Sequence, residues 1–263
     1  MPSFITLHGR YIWLVVASTI AGAMNAMAGG GSFLSFPAML GVGVPPIQAN
    51  ATNTVALWPG QLASIAALRD DLRRDLLPMV LAASILGGVS GALVLLNTRQ
   101  ITFLHLIPWL LLVASLLFGI SGPVSQWLKR RALAGGIEHH SQRPLPLIPT
   151  FLALLPVCFY VGYFGAGSGF LIMTVLALFG LEDMHQLNAL KVTAACTANF
   201  CAVLMFVLRG AIIWHYCLLA MIFAGVGGWV GAQYARRINP SVLRAIVVIT
   251  GVLVAAYFFW REA

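Results

Sequence analysis

Ala28-Gly29-Gly30-Gly31-Ser32-Phe33 and, 137 residues further on, Gly165-Ala166-Gly167-Ser168-Gly169-Phe170 are the two stretches that decide how this chain folds. Each interrupts an apolar run, and each is followed by a short apolar piece, 33–44 in one case and 170–181 in the other. Three consecutive glycines weaken a helix by about 1 kcal/mol each relative to alanine. Backbone groups freed at such a break must find protein, water or a ligand, because lipid offers no hydrogen-bond partner. A helix broken twice at matching places is the plan of many membrane transporters.

The rest of the chain supports a membrane setting. It has 263 residues, is 60% hydrophobic and carries only 8% charged residues. Soluble domains carry about 25%, so this composition cannot cover a water-facing surface. Apolar runs close to the roughly 20 residues that cross a bilayer as helix recur at 11–28, 48–68, 76–96, 101–120, 147–165, 188–208, 212–235 and 242–260. The first run continues into further apolar sequence, not into a small-residue cleavage site before a soluble chain, so it is expected to remain a membrane helix. The formal charge of +8 lies mostly between the runs, where the positive-inside rule accounts for it. No aromatic-basic module points to nucleic acid, and no nucleic-acid partner is expected. The cysteines Cys158, Cys196, Cys201 and Cys217 lie in apolar stretches, with no CxxC pair and no histidine at zinc spacing. Buried thiols are expected, with no disulfide, metal or cofactor.

The match between the halves extends beyond the breaks. Gly87-Gly88-Val89-Ser90-Gly91-Ala92 aligns with Gly227-Gly228-Trp229-Val230-Gly231-Ala232 at an offset of 140 residues. These glycines sit mid-helix on one face and read as close helix packing. The expected fold is therefore all-α and integral to the membrane, with two internal repeats of about 130–140 residues. Each repeat has four long transmembrane helices and one short broken or re-entrant helix after its glycine break. The first repeat is 1–128, the second 147–263. A polar cytoplasmic linker, 129–146, joins them and carries Lys129, Arg130, Arg131, Gly135-Gly136 and Arg143; His139-His140 within it read as solvated. If the short pieces are re-entrant, each repeat crosses four times and the repeats are parallel. If they cross, each crosses five times and the repeats are inverted. The balance of Lys and Arg is the same either way, and both place 69–74 and 129–143 in the cytoplasm. Inverted repeats are expected, because broken-helix transporters commonly use them.

Function is sought at the breaks. Amides opening the short helices after Ser32 and Gly169 carry partial positive charge and favour an anion. Lys191 is the one lysine of the second repeat and lies between Leu190 and Val192. Ionisable groups inside a membrane are costly and mark function; its competing role is to snorkel to the interface, and Glu182 and Asp183 upstream could pair with it. Asn53, Gln61 and Asn199 lie deeper in their helices than caps do, whereas Asn50 and Asn188 could simply be caps. The candidate binding residues are thus Gly29, Gly30, Gly31, Ser32, Gly165, Gly167, Ser168 and Gly169 through backbone amides, Lys191 through charge, and Asn53, Gln61 and Asn199 through side-chain hydrogen bonds. There is no H-E-x-x-H, G-x-S-x-G or Walker pattern, so no enzyme activity is expected.

At these residues the chain resembles the sulfite exporter TauE/SafE family of multipass membrane transporters. The resemblance rests on Ala28–Ser32 followed by Pro37, on Gln48-Ala49-Asn50-Ala51-Thr52-Asn53-Thr54, on Asn188-Ala189-Leu190-Lys191 with the glycines from Gly162 to Gly169, and on Gly210-Ala211-Ile212-Ile213-Trp214. It covers nearly the whole chain and implies an inner-membrane transporter of sulfur-containing anions such as sulfite or organosulfonates. The expected partners are a small anionic substrate, a coupling proton or sodium ion, and the lipid bilayer. The rival expectations are an anion channel on the same scaffold and an assembly factor that transports nothing.

Overall fold

A computed structural model of the chain describes residues 7–28, 30–134, 145–181, 183–234 and 240–262. Among them are ten α-helices and no strand: α1 (Leu7–Ala28), α2 (Ser32–Gly41), α3 (Pro46–Ala67), α4 (Leu77–Asn97), α5 (Gln100–Ala134), α6 (Leu147–Tyr163), α7 (Ser168–Leu178), α8 (Met184–Leu208), α9 (Trp214–Tyr234) and α10 (Pro240–Glu262). Local chemistry sets many of the boundaries. Pro46 opens α3, where its missing N–H costs nothing. The Asp183 carboxylate caps α8 by accepting from the amides of His185 (2.8 Å) and Gln186 (3.0 Å), worth about 1 kcal/mol. Gly43, Gly180 and Gly210 take positive φ just past the ends of α2, α7 and α8, the stop that glycine supplies most cheaply.

Among the described residues, four helices are long and apolar enough to cross a bilayer: Leu77–Asn97, Gln100–Ile120, Met184–Leu208 and Trp214–Gly231. α2 and α7 have 10 and 11 residues and rise only about 15 Å, half of the hydrocarbon thickness. The linker differs from its expected bounds. α5 continues to Ala134, so residues 129–134 extend a membrane helix, and residues 135–144, with Gly135-Gly136, His139-His140 and Arg143, lie outside the described residues.

Helix pairing follows the glycines. α1 packs along α9, α4 along α6, α5 along α10 and α3 across α8. A Cβ on Gly22 would strike the backbone of Ala224, one on Gly227 the Thr19 carbonyl, and one on Gly231 the Ala23 backbone. In the other pair Gly87 and Gly91 leave no room for a Cβ beside Cys158 and Phe159, and Gly162 meets Gly88. The expected packing role of Gly87, Gly88, Gly91, Gly227 and Gly231 is what the structure contains, since small residues let backbones approach. Gly228 is looser, with the Gly22 carbonyl 3.6 Å from its Cβ position.

The contacts also fix the direction of each helix. At one end of the bundle Gln100 Oε1 accepts from the Ile47 amide (3.0 Å) and Gln100 Nε2 donates to Gln48 Oε1 (2.6 Å); this is the Gln48 end. At the other, the Arg73 end, Asp71 meets His185 (3.9 Å). α2 returns from the first break along α1, because a Cβ on Gly41 would lie 3.4 Å from Trp13 Nε1. α1, α3 and α5 start at the Gln48 end, whereas α6, α8 and α10 start at the Arg73 end.

Several polar side chains are buried while many large apolar ones face outward. Asn50, Asn53 and Asn199 are 2%, 3% and 7% exposed, while Ile148, Leu178 and Trp260 are 74%, 72% and 80% exposed. A water-soluble surface would reverse this order; a lipid-facing one requires it. Tyr11, Trp13 and Trp214 open outward near the Gln48 end, where aromatic rings suit the lipid interface. The Arg73 end is charged. Arg73 pairs with Asp75 (2.8 Å) and is mostly buried, and its hydrogen bonds hold the Asp75 carboxyl below its usual range. A cleft of about 370 Å³ lined by Asp70, Asp71, Arg73, Arg74, Asp183 and His185 opens there.

Candidate functional site

The second break is built on two left-handed residues. Gly165 and Gly167 have φ of 79° and 72°, a conformation that costs other residues about 1–2 kcal/mol. α6 stops because the amides of Phe164 and Gly165 both turn onto the Tyr160 carbonyl (2.9 and 3.0 Å). The Tyr160 hydroxyl then reaches over the break and donates to the Ala166 carbonyl (2.7 Å). Ser168 closes the turn from the other side, its hydroxyl donating to the Gly165 carbonyl (2.8 Å). The amides of Ser168 and Phe170 are spent on the carbonyls of Gly165 and Gly167, and the Gly169 amide has no backbone acceptor among the described residues. The amides of Ala166 and Gly167 likewise have no backbone acceptor among the described residues, and Gly169 is the one of the three that lies in the first turn of α7.

The first break has a different construction. Gly31 is helical, with φ −57° and ψ −32°. The amides of Phe33, Leu34 and Ser35, and the Ser35 hydroxyl, bond back to Gly30 and Gly31. Glycine is needed here for space: a Cβ on Gly31 would strike the Ala21 carbonyl, and one on Gly30 would lie 3.2 Å from Val247. Ser32 is half-buried at the first position of α2. Gly29 lies outside the described residues. The two breaks are neighbours, since Phe33 Cζ is 3.7 Å from the Cβ position of Gly167.

Lys191 sits against the second break. Its chain packs on Gly169, whose Cβ position is 3.5 Å from Lys191 Cδ. Lys191 is half-buried and makes no ion pair with a described residue. Asp183 is occupied as the α8 cap, and Glu182 lies outside the described residues. The seven acids of the chain are Asp70, Asp71, Asp75, Glu138, Glu182, Asp183 and Glu262, none of them inside an apolar segment. An ammonium group at that depth, with no carboxylate on the neighbouring membrane helices, favours a mobile anion as its counter-charge.

Beside it, Asn199 Nδ2 donates to Gln61 Oε1 (3.1 Å), joining α8 to α3, and Asn199 Oδ1 lies 3.7 Å from the Cβ position of Gly165. One turn away, the Trp58 indole donates to the Cys196 carbonyl (3.2 Å), and its ring stacks on Phe200 with centroids 5.4 Å apart. Both bonds join residues 138 apart in sequence. Such bonds contribute about 0.6 kcal/mol each in membrane bundles, so they fix geometry more than they stabilise the fold.

The structure thus gathers Gly165, Ser168, Asn199 and Gln61 in one group and Gly169 with Lys191 in another, both at the second break. Gly30, Gly31 and Ser32 belong to the first. Asn53 is buried, and its Oδ1 has no hydrogen-bond partner among the described residues. Asn50 and Asn188 are not caps: α3 is capped at Pro45 and α8 at Asp183. Asn50 instead donates to the Tyr163 carbonyl (3.1 Å), a strut between α3 and the end of α6. Tyr160 and Thr52, which accepts from the Ile213 amide (3.1 Å), carry no sequence signal of their own, one being an aromatic in an apolar run and the other one threonine among several.

Comparison with known proteins agrees with this picture. A family model described as Sulfite exporter TauE/SafE matches residues 14–258. A probable membrane transporter protein, ORF9, of a Sinorhizobium species is 30% identical, with 92% of this chain and 90% of the relative aligned. A probable membrane transporter protein of Haemophilus influenzae is 27% identical over 92% of each chain. The probable membrane transporter protein YfcA of Escherichia coli K12 is 26% identical over 92% of this chain and 87% of the relative. No solved structure matches the chain.

Proposed function

The chain belongs to the sulfite exporter TauE/SafE family of membrane transporters, and on that premise we propose that it carries small sulfur-containing anions, such as sulfite or an organosulfonate, through a site at its second glycine break. The observation that supports this reading is the packing of the Lys191 stem on Gly169 in the first turn of α7, whose amide has no backbone acceptor among the described residues. Charge and helix-start amide act in the same direction on an oxyanion. Asn199 and Gln61 hold the side of the site formed by α3 and α8. An inner-membrane location, with the Arg73 end in the cytoplasm, follows from the positive-inside rule.

The two halves are proposed to be inverted repeats. Exchanging α1–α5 for α6–α10 turns the α1–α9 pair into α6–α4 and leaves α5–α10 and α3–α8 unchanged, which is how the helices pack. The opposite starting ends of α1, α3, α5 and of α6, α8, α10 support the same reading. Rocking one half against the other would then open the site to each side in turn.

A thermal-shift screen on purified protein tests the assignment, because a bound anion stabilises the fold by mass action. Sulfite, thiosulfate or a sulfonate is expected to raise the midpoint of wild type and to leave Lys191→Ala unmoved. No shift with any of these anions, or an equal shift in both proteins, would count against the site.

A further inference from the structure

We propose that Asn50 is a latch holding the Gln48 end shut, that the structure is the conformation open at the Arg73 end, and that Asn188 is the matching latch of the opposite conformation. This rests on the transport and inverted-repeat readings above and says what opens the site to one side at a time.

The two latches match in sequence and in register. Gln48-Ala49-Asn50-Ala51 recurs as Gln186-Leu187-Asn188-Ala189 at an offset of 138 residues. The glutamine is the third residue and the asparagine the fifth in both α3 and α8. α3 starts at the Gln48 end and α8 at the Arg73 end, so the two asparagines stand at opposite mouths of the bundle.

Their surroundings differ. Asn50 is 2% exposed and donates to the Tyr163 carbonyl at the end of α6 (3.1 Å), a bond from one half to the other. Thr52 Oγ1 adds a second such bond by accepting from the Ile213 amide (3.1 Å), and Gln48 is held by Gln100 (2.6 Å). Asn188 is half-buried, and its side chain has no hydrogen-bond partner among the described residues. Gln186 lines the cleft at the Arg73 end. Ile47 is buried, whereas its match, His185, is exposed and comes no nearer to Asp71 than 3.9 Å. Matching side chains bonded in one half and unbonded in the other are what an inverted-repeat transporter shows when one mouth is shut and the other open.

The middle of the bundle supplies the pivot. Gln61–Asn199 and Trp58–Cys196 join residues 138 apart, the same offset as the latches. Exchanging the two halves maps each of these contacts onto itself, so both persist as the mouths alternate. The Asn50–Tyr163 bond instead maps onto Asn188 and the last turn of α1, where Ala26 takes the place of Tyr163 at the 137-residue offset of the breaks. Asn188 lies one turn before Lys191 on α8, so closing this latch covers the anion site from the Arg73 side.

The test is the rate at which a bulky hydrophilic maleimide labels Ile47→Cys in the full-length chain in lipid nanodiscs, where both faces meet the reagent. The four native cysteines are buried, and the unsubstituted chain supplies the background. Asn50→Ala should speed labelling by about fivefold and Asn188→Ala should slow it by about the same factor, as the loss of one hydrogen bond from one conformation requires. Mere loosening of the fold speeds labelling in both variants, so faster or unchanged labelling in Asn188→Ala overturns the proposal, as does unchanged labelling in Asn50→Ala. The readout uses no anion. Opposite shifts in a protein that carries no sulfur anion leave the latches standing and remove the anion assignment; anion flux without opposite shifts does the reverse.

Discussion

The two glycine breaks look alike in sequence and are different devices. At the first, Gly31 has an ordinary helical backbone and is glycine because the Ala21 carbonyl occupies the place of a side chain. At the second, Gly165 and Gly167 are glycines because their φ is positive. At the first break the amides of Phe33, Leu34 and Ser35 all bond back to Gly30 and Gly31. A break made by backbone reversal opens the ladder, and here Tyr160 and Ser168 take up the freed carbonyls while the Gly169 amide stays available beside Lys191. Glycine therefore serves space at the first break and positive φ at the second, where Lys191 packs.

Substitutions separate crowding from reversal. Gly31→Ala should be the most damaging, costing about 3 kcal/mol through overpacking, and Gly31→Asn should be no better, since any side chain meets the same carbonyl. Chemical denaturation or thermal unfolding in detergent measures both. Gly167→Ala should cost about 1–2 kcal/mol, and Gly167→Asn should recover part of that, because asparagine tolerates the left-handed region. Equal behaviour of alanine and asparagine at Gly167 would erase the distinction between the breaks. Tyr160→Phe should have the smallest effect, about 1 kcal/mol for one lost hydrogen bond. It should lower the affinity for the anion, because the hydroxyl braces the second break.

Much of this was legible in the chain before any coordinates. The glycine triplets, the matched Gly87–Ala92 and Gly227–Ala232 stretches and Lys191 mark the breaks, the packing faces and the charge, because each is an abrupt departure from an apolar background. Other features are silent in one dimension. Gly31 and Gly167 are the same letter, and whether a glycine is there for space or for φ depends on what lies across from it. The Gln61–Asn199 bond joins residues 138 apart, and only the crossing of α3 and α8 brings them together. Asn53 reads as a hydrogen-bonding residue in sequence, and only the fold shows its Oδ1 buried without a partner among the described residues. The start of the linker is not legible in sequence because Lys129, Arg130 and Arg131 look like loop residues, yet α5 continues as helix to Ala134.

Flux of radiolabelled sulfite or sulfonate into proteoliposomes, with wild type, Lys191→Arg and Lys191→Ala inserted to equal levels and shown to be folded, tests the central claim most directly. Saturable uptake by wild type, reduced uptake by the arginine variant and none by the alanine variant is the predicted result. Undiminished uptake by Lys191→Ala would contradict an anion site at the second break.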